Sequence, residues 1–159
     1  MSYTNADGLR VLTNGDHGAV KTQGTATSGM KQVIVVDITF TALGTTFGAS
    51  NIDLNNPFIP AKSLITRADL VMTSAATSGG TPTLDIGTYN AAGSAIDADG
   101  IDAAIALTAI DANGETVRCD GAHLTTAGLI TADAYIGITR SAPTYTGGVG
   151  KLYVEYIKL

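Results

Sequence analysis

A period of two constrains this chain more than any other feature. From Lys31 onward, short runs of β-branched and aliphatic residues alternate with polar ones and are cut by Gly-rich turns. Alternation places successive side chains on opposite faces of a strand, so each run reads as a strand with one buried face. In the first run, Ile34, Val36, Ile38 and Phe40 share one face, and Val33, Val35, Asp37 and Thr39 share the other. Gly44 to Asn51 breaks the pattern, and Asn56-Pro57-Phe58-Ile59-Pro60 makes a rigid connection unsuited to a central strand. A second strand is expected over Ser63 to Thr73, with Leu64, Thr66, Ala68, Leu70 and Met72 on one face and Ile65, Arg67, Asp69, Val71 and Thr73 on the other. After the Ser78-Gly79-Gly80 turn, Thr83 to Tyr89 alternates Leu84 and Ile86 against Asp85. Further strands are expected over Glu115 to Asp120, Ala134 to Arg140 and Lys151 to Leu159, the last with Leu152, Val154 and Tyr156 opposing Tyr153, Glu155 and Ile157.

One stretch departs from this period. Ile101, Ala104, Ile105 and Thr108 have the i, i+3, i+4, i+7 spacing of a helix face, in Ala-rich sequence that favours helix. With Asp99 as N-cap and Asp102 in the first turn, the spacing predicts one short helix ending near Asp111. Short strands, frequent Gly turns and a single helix point to an all-β fold, an antiparallel β-sandwich or jelly roll. No βαβ alternation suggests a parallel sheet. The 159 residues suit one domain. Residues 1–29, rich in Gly, Thr, Asn and Ser, read as an extended N-terminal arm whose apolar residues are Leu9, Val11, Leu12 and Val20. Residues 30–159 form the sandwich.

Charge narrows the functional classes. The net charge is −5, and the segment from Asp97 to Asp120 accounts for all of it, carrying Asp97, Asp99, Asp102, Asp111, Glu115 and Asp120 against Arg118. The nine basic residues are scattered singly, so the basic stripe that nucleic acid requires is missing. The acidic segment reads as a solvated rim, with a docking edge for a basic partner or a metal site as alternatives. Apolar runs such as Val33 to Val36 are far short of the ~20 residues of a membrane helix. The N-terminus lacks the basic and apolar regions of a signal peptide. One unpaired cysteine fits a protein made in cytosol.

No catalytic, cofactor-binding or metal-binding residues are expected. Cys119 and His123 are four apart around Gly121, a spacing that a turn could close into a thiol–imidazole pair, but a buried, inert cysteine is the simpler reading. A zinc site would need ligands the chain lacks. Ile96-Asp97-Ala98-Asp99-Gly100 and Ile110-Asp111-Ala112-Asn113-Gly114 are near-copies that suggest a calcium loop, yet the remaining ligand positions are absent. They read as turn and cap chemistry at the ends of the helix. Gly147-Gly148-Val149-Gly150 precedes a strand rather than a helix, so it is no phosphate loop. With no Trp and six dispersed Tyr, a sugar-stacking platform is weakly supported. Between Lys31 and Gly114 the only basic residues are Lys31, Lys62 and Arg67, and such sparse charge suits a surface that packs against other copies.

The run Pro60-Ala61-Lys62-Ser63-Leu64-Ile65-Thr66-Arg67-Ala68-Asp69-Leu70-Val71 resembles small structural proteins encoded among tailed-bacteriophage head genes. So do Thr83-Leu84-Asp85-Ile86-Gly87, Asp97 through Ile105, and Gly150-Lys151-Leu152-Tyr153-Val154-Glu155-Tyr156-Ile157. These stretches look like those of capsid decoration, or cement, proteins, over roughly residues 58–159. The resemblance implies a jelly-roll-like body, a homotrimer and a non-enzymatic structural role. It also implies a place on the outer capsid surface of the virion, clamping neighbouring major capsid protein subunits after synthesis in the host cytoplasm. It supplies no active-site residues. The alternative is a carbohydrate- or receptor-binding module of a phage tail fibre or adhesin.

Overall fold

Two antiparallel sheets face each other across the apolar core. The computed structural model describes residues 31–52, 57–126 and 128–159, together with the backbone of two short N-terminal strands. These two, β1 (Tyr3–Thr4) and β2 (Arg10–Val11), pair antiparallel with each other. The rest of the arm expected over 1–29 lies outside the described residues.

The body comprises β3 (Lys31–Thr39), β4 (Phe58–Ile59), β5 (Ser63–Ser78), β6 (Thr83–Tyr89), β7 (Ala95–Ala106), β8 (Thr116–Arg118), β9 (Leu129–Ile130), β10 (Ala134–Arg140) and β11 (Tyr145–Lys158), with one helical turn, α1 (Ala122–Thr125). The first sheet has the order β3-β11-β5-β8, and β9 joins β5 beside β8. The second has the order β4-β10-β6-β7. The chain passes from one sheet to the other at most connections, staying within a sheet at the β6–β7 hairpin and between β8 and β9. That wiring is the expected jelly roll.

The inward positions follow the period of two. Ile34 and Ile38 on β3, and Leu152, Val154 and Tyr156 on β11, turn into the core together with Leu84, Ile86 and Ile136 from the opposite sheet. Each fully buried Leu, Ile or Val contributes about 1.5–3 kcal/mol. Phe40 closes one end, its ring edge-on to Tyr145 with centroids 5.1 Å apart.

Two sequence expectations fail, both at β-bulges. On β5, Ile65 pairs with Tyr156 and Arg67 with Glu155, so Thr66 is an extra residue. The phase slips there: Ile65 faces the core and Leu64 the solvent, while Ala68, Leu70 and Met72 remain inward. The expected helix over 101–108 is the second half of β7 followed by a single 3-10 turn, Leu107–Ala109. Three register shifts separate β6 from β7. One lies between Leu84↔Ile105 and Ile86↔Asp102, where Ala104 takes φ 54° and donates its N–H to Asp85 Oδ1 at 2.7 Å. Extra residues in a bulge widen the spacing between inward side chains. Asp102 and Ile105 therefore both turn inward from a strand, three positions apart, with Ile101 buried beside them. The helix that does form, Ala122–Thr125, follows Gly121 at the acidic segment's end.

Candidate functional site

The bulged strand β7 gathers three buried polar side chains, Thr88, Asp102 and His123, together with the Cys119 thiol. The Gly87 backbone passes directly beneath it: a Cβ at Gly87 would lie 2.2 Å from the Ala98 carbonyl. Asp102 turns inward and sits 5 % exposed beside the Cys119 thiol, which is 3 % exposed. Burial pushes the Asp102 carboxyl above its usual range, and the Cys119 hydrogen bond partly offsets the shift. Burial, then the neighbouring Asp102, pushes the Cys119 thiol far up. A nucleophilic cysteine requires the opposite shift, toward thiolate. His123, on α1, places Nε2 3.0 Å from Thr88 Oγ1 and 3.9 Å from Asp97 Oδ2. The turn at Gly121 thus directs Cys119 to Asp102 and His123 to Thr88 and Asp97. These contacts join β6, β7 and α1 and pin the segment after β8 to the second sheet.

The acidic segment is distributed differently from either near-copy reading. Asp97 and Asp99 lie on the bulged strand, the first half-buried and the second exposed, with Asp102 inward. The second copy is turn chemistry, as expected. Asn113 Oδ1 accepts the Ala75 N–H at 2.7 Å, and Glu115 Oε2 accepts the Ala112 N–H at 2.9 Å. Among the described residues, no three of His, Cys, Asp or Glu converge on a common point where an ion would sit.

The outer faces of the two sheets are the larger surfaces. On the second sheet, the segment after β3 crosses over as a strap. The Arg140 N–H donates to Gly44 O at 3.0 Å, and Arg140 Nε donates to Leu43 O at 2.9 Å. Phe47 then packs on the Tyr89 ring with centroids 4.5 Å apart. Both rings lie over Gly137, where a Cβ would meet Tyr89 at 2.3 Å and Phe47 at 2.9 Å.

On the first sheet no described residue covers the outer face. Val33 is 54 % exposed, Val35 45 % and Leu129 51 %. Across the strands these align in rows: Lys31, Ile157, Leu64 and Leu129; Val33, Glu155 and Arg67; Val35, Tyr153, Asp69 and Arg118. The charges among them are matched within the face. Lys31 Nζ lies 3.2 Å from Glu155, Lys151 pairs with Asp37, and Arg67 and Arg118 both engage Asp69.

Between the faces runs a groove of about 520 Å³ along the outer edge of β3. Val35 to Thr39 form one wall, Ile136 and Ile138 of β10 another, and Leu43 and Phe47 of the strap the rim. β3 pairs with β11 along all nine residues on its inner side. Among the described residues no strand pairs with its other side.

The chain superposes on a chain from the capsid of Ralstonia phage GP4 with a TM-score of 0.56 at 20% identity, covering 83% of this chain and 86% of that one. It also superposes on a chain from the cyanophage Pam1 capsid asymmetric unit, again with a TM-score of 0.56 at 20% identity, over 100% of both chains. The fold is one found in phage capsids. No protein-family model matches the sequence, and no curated protein does. The likeness therefore rests on the path of the backbone. Sequence reasoning missed the strap and the groove. Its one available signal was a glycine inside a strand pattern, Gly137, which marks close approach by another segment.

Proposed function

We propose that this protein is a non-enzymatic structural component of a phage virion. In this reading it is a decoration protein that binds the outer surface of the capsid as a homotrimer and clamps neighbouring major capsid subunits. The observation that carries the reading is the jelly roll shared, over most of the chain, with chains from two phage capsids. The bare outer face of the first sheet supports it, because apolar side chains set among pre-matched charges can be covered without stranding an ion. Binding only to the assembled shell would stabilise that shell by mass action, and attachment through several copies would slow release. Residues 1–29 act as an arm that adds to the attachment, since an extended segment can join a sheet edge through backbone hydrogen bonds.

The test is occupancy of purified heads by the full chain and by a form lacking residues 2–28, measured side by side. The full chain fills its sites, and the shortened form keeps its thermal midpoint but binds several-fold less. No binding of the full chain rejects the capsid role. Equal occupancy rejects the arm's part in it.

A further inference from the structure

Two incomplete sheets exist within this one chain. The first is the β1–β2 ribbon, which pairs with no other strand among the described residues. A two-stranded ribbon alone is marginal in water and gains stability from a third strand. The second is the sandwich edge at β3. There alternate residues of a nine-residue strand turn their backbone groups outward with no described strand to meet them, and Val35 to Thr39 of that edge line a groove of mixed polar and apolar walls. A long open edge invites another strand.

We infer that the groove beside β3 is the acceptor for the β1–β2 ribbon of a neighbouring copy, so that copies are linked by strand addition. The inference rests on the reading of the protein as an oligomer. Residues 12–30 connect β2 to β3. Nineteen residues can span up to roughly 65 Å. A body of this size is only about 35–40 Å across, so the connection can carry the ribbon past its own body to the next. The arm's apolar residues Leu9, Val11 and Leu12 match the groove's Val36, Ile136 and Ile138 in character. Strand addition uses backbone hydrogen bonds for affinity and alternate side chains for register.

Disulfide trapping with full-length chains tests this in solution. One pool carries Thr39→Cys, an exposed position on the groove wall, and a second pool carries Leu9→Cys, Val11→Cys or Leu12→Cys in turn. The pools are mixed and oxidised, and linked pairs are counted on a non-reducing gel. A chain carrying Ala103→Cys, exposed on β7 at the opposite edge of the second sheet, replaces the groove pool as control. At least one arm position should link to Thr39→Cys five-fold or more above the control. Thr46→Cys, exposed on the same groove, repeats the test should Thr39→Cys fold poorly. Linking no better than the control overturns the inference. So does a double variant that closes only within its own chain while the mixed pools give no pairs, because the ribbon would then occupy its own groove. Head occupancy is read separately, so the failure of this docking is distinguishable from failure of the capsid role.

Discussion

The outer face of the second sheet is finished from within the chain, and that of the first sheet is left bare among the described residues. Over β6 and β10, the strap lays Phe47 onto Tyr89, and the space beneath exists because Gly137 has no side chain. Over β3, β11 and β5, side chains of similar apolar character stand in water, interleaved with ion pairs already closed among themselves. Both faces come from alternating strands of similar composition, so strand propensity does not distinguish them. The difference lies in glycine: the covered face has it where another segment must approach, at Gly87 and Gly137, and the bare face keeps full-sized side chains along the central strands. Substitutions on the covered side should therefore be read out as stability. Those on the bare side should be read out as association.

The largest effect is expected at Gly87→Ala. Its Cβ would collide with the Ala98 and Asp97 carbonyls, which are backbone atoms of a bulge that cannot rotate away. We expect a loss of about 3 kcal/mol or more, seen as a fall of roughly 10 °C in the melting midpoint by calorimetry. A fall under 2 °C would mean the bulge is not held against β6. Phe47→Ala comes next. It removes a half-buried ring, less than the about 3–5 kcal/mol of a fully buried one, and should cost about 1–2 kcal/mol in chemical denaturation. No change would show that the strap does not seal the second sheet.

A smaller effect separates the interior from both faces. Burial raises the Cys119 thiol above its ordinary 9.0 and the Tyr145 phenol from 10.0 to about 12. The folded chain holds these protons while the unfolded chain releases them, so stability is complete below pH 9 and declines as pH rises beyond it. Cys119→Ala and Tyr145→Phe should each flatten the decline in denaturation midpoints measured between pH 8 and 11. A slope unchanged in both would show that neither group drives it. The smallest change in stability is expected at Val33→Ser and Val35→Ser, within about 0.5 kcal/mol of the parent, as for other exposed positions. Sedimentation should nevertheless show weaker association, and a variant that associates normally would remove the bare face from the interface.

How much of this was legible in the sequence depends on whether a feature is local. The strands at Thr83 to Tyr89 and Ala134 to Arg140 have the bounds that alternation suggested, and β3 and β11 have the expected inward faces. The misreadings share one cause. A bulge adds a residue to one strand only, so the inward spacing becomes three between Asp102 and Ile105, and with Ile101 that imitates the spacing of a helix. The phase slip at Thr66 has the same origin. Nothing in the sequence near either position announces it, because the missing partner residue lies on another strand. The buried polar contacts were hidden for the same reason. Cys119 meets Asp102, and His123 meets Thr88 thirty-five residues away, and only the folded bulge brings them together. Phe47 lies in the stretch from Gly44 to Asn51 that breaks the alternation, and its partner Tyr89 belongs to another strand.

The place of β11 at the centre of the first sheet has a consequence for synthesis. β3 is made early, yet its partner along all nine residues is β11, the last strand in the sequence. A ribosome adding about 5–20 residues per second needs on the order of 6–24 s to translate the roughly 120 residues from the end of β3 to the end of β11. Throughout that interval Ile34, Val36 and Ile38 lack the strand that will bury them. The second sheet's β6–β7 hairpin can form as soon as it emerges, and β8 and β9 can pair with β5, whereas β3 joins the first sheet only once β11 is made. Its charged positions, Lys31 and Asp37, flank the apolar heart of the waiting strand and oppose its pairing with other nascent chains. Closure of the first sheet thus waits on a long-range pairing, and is slow relative to the folding of helical chains of the same length.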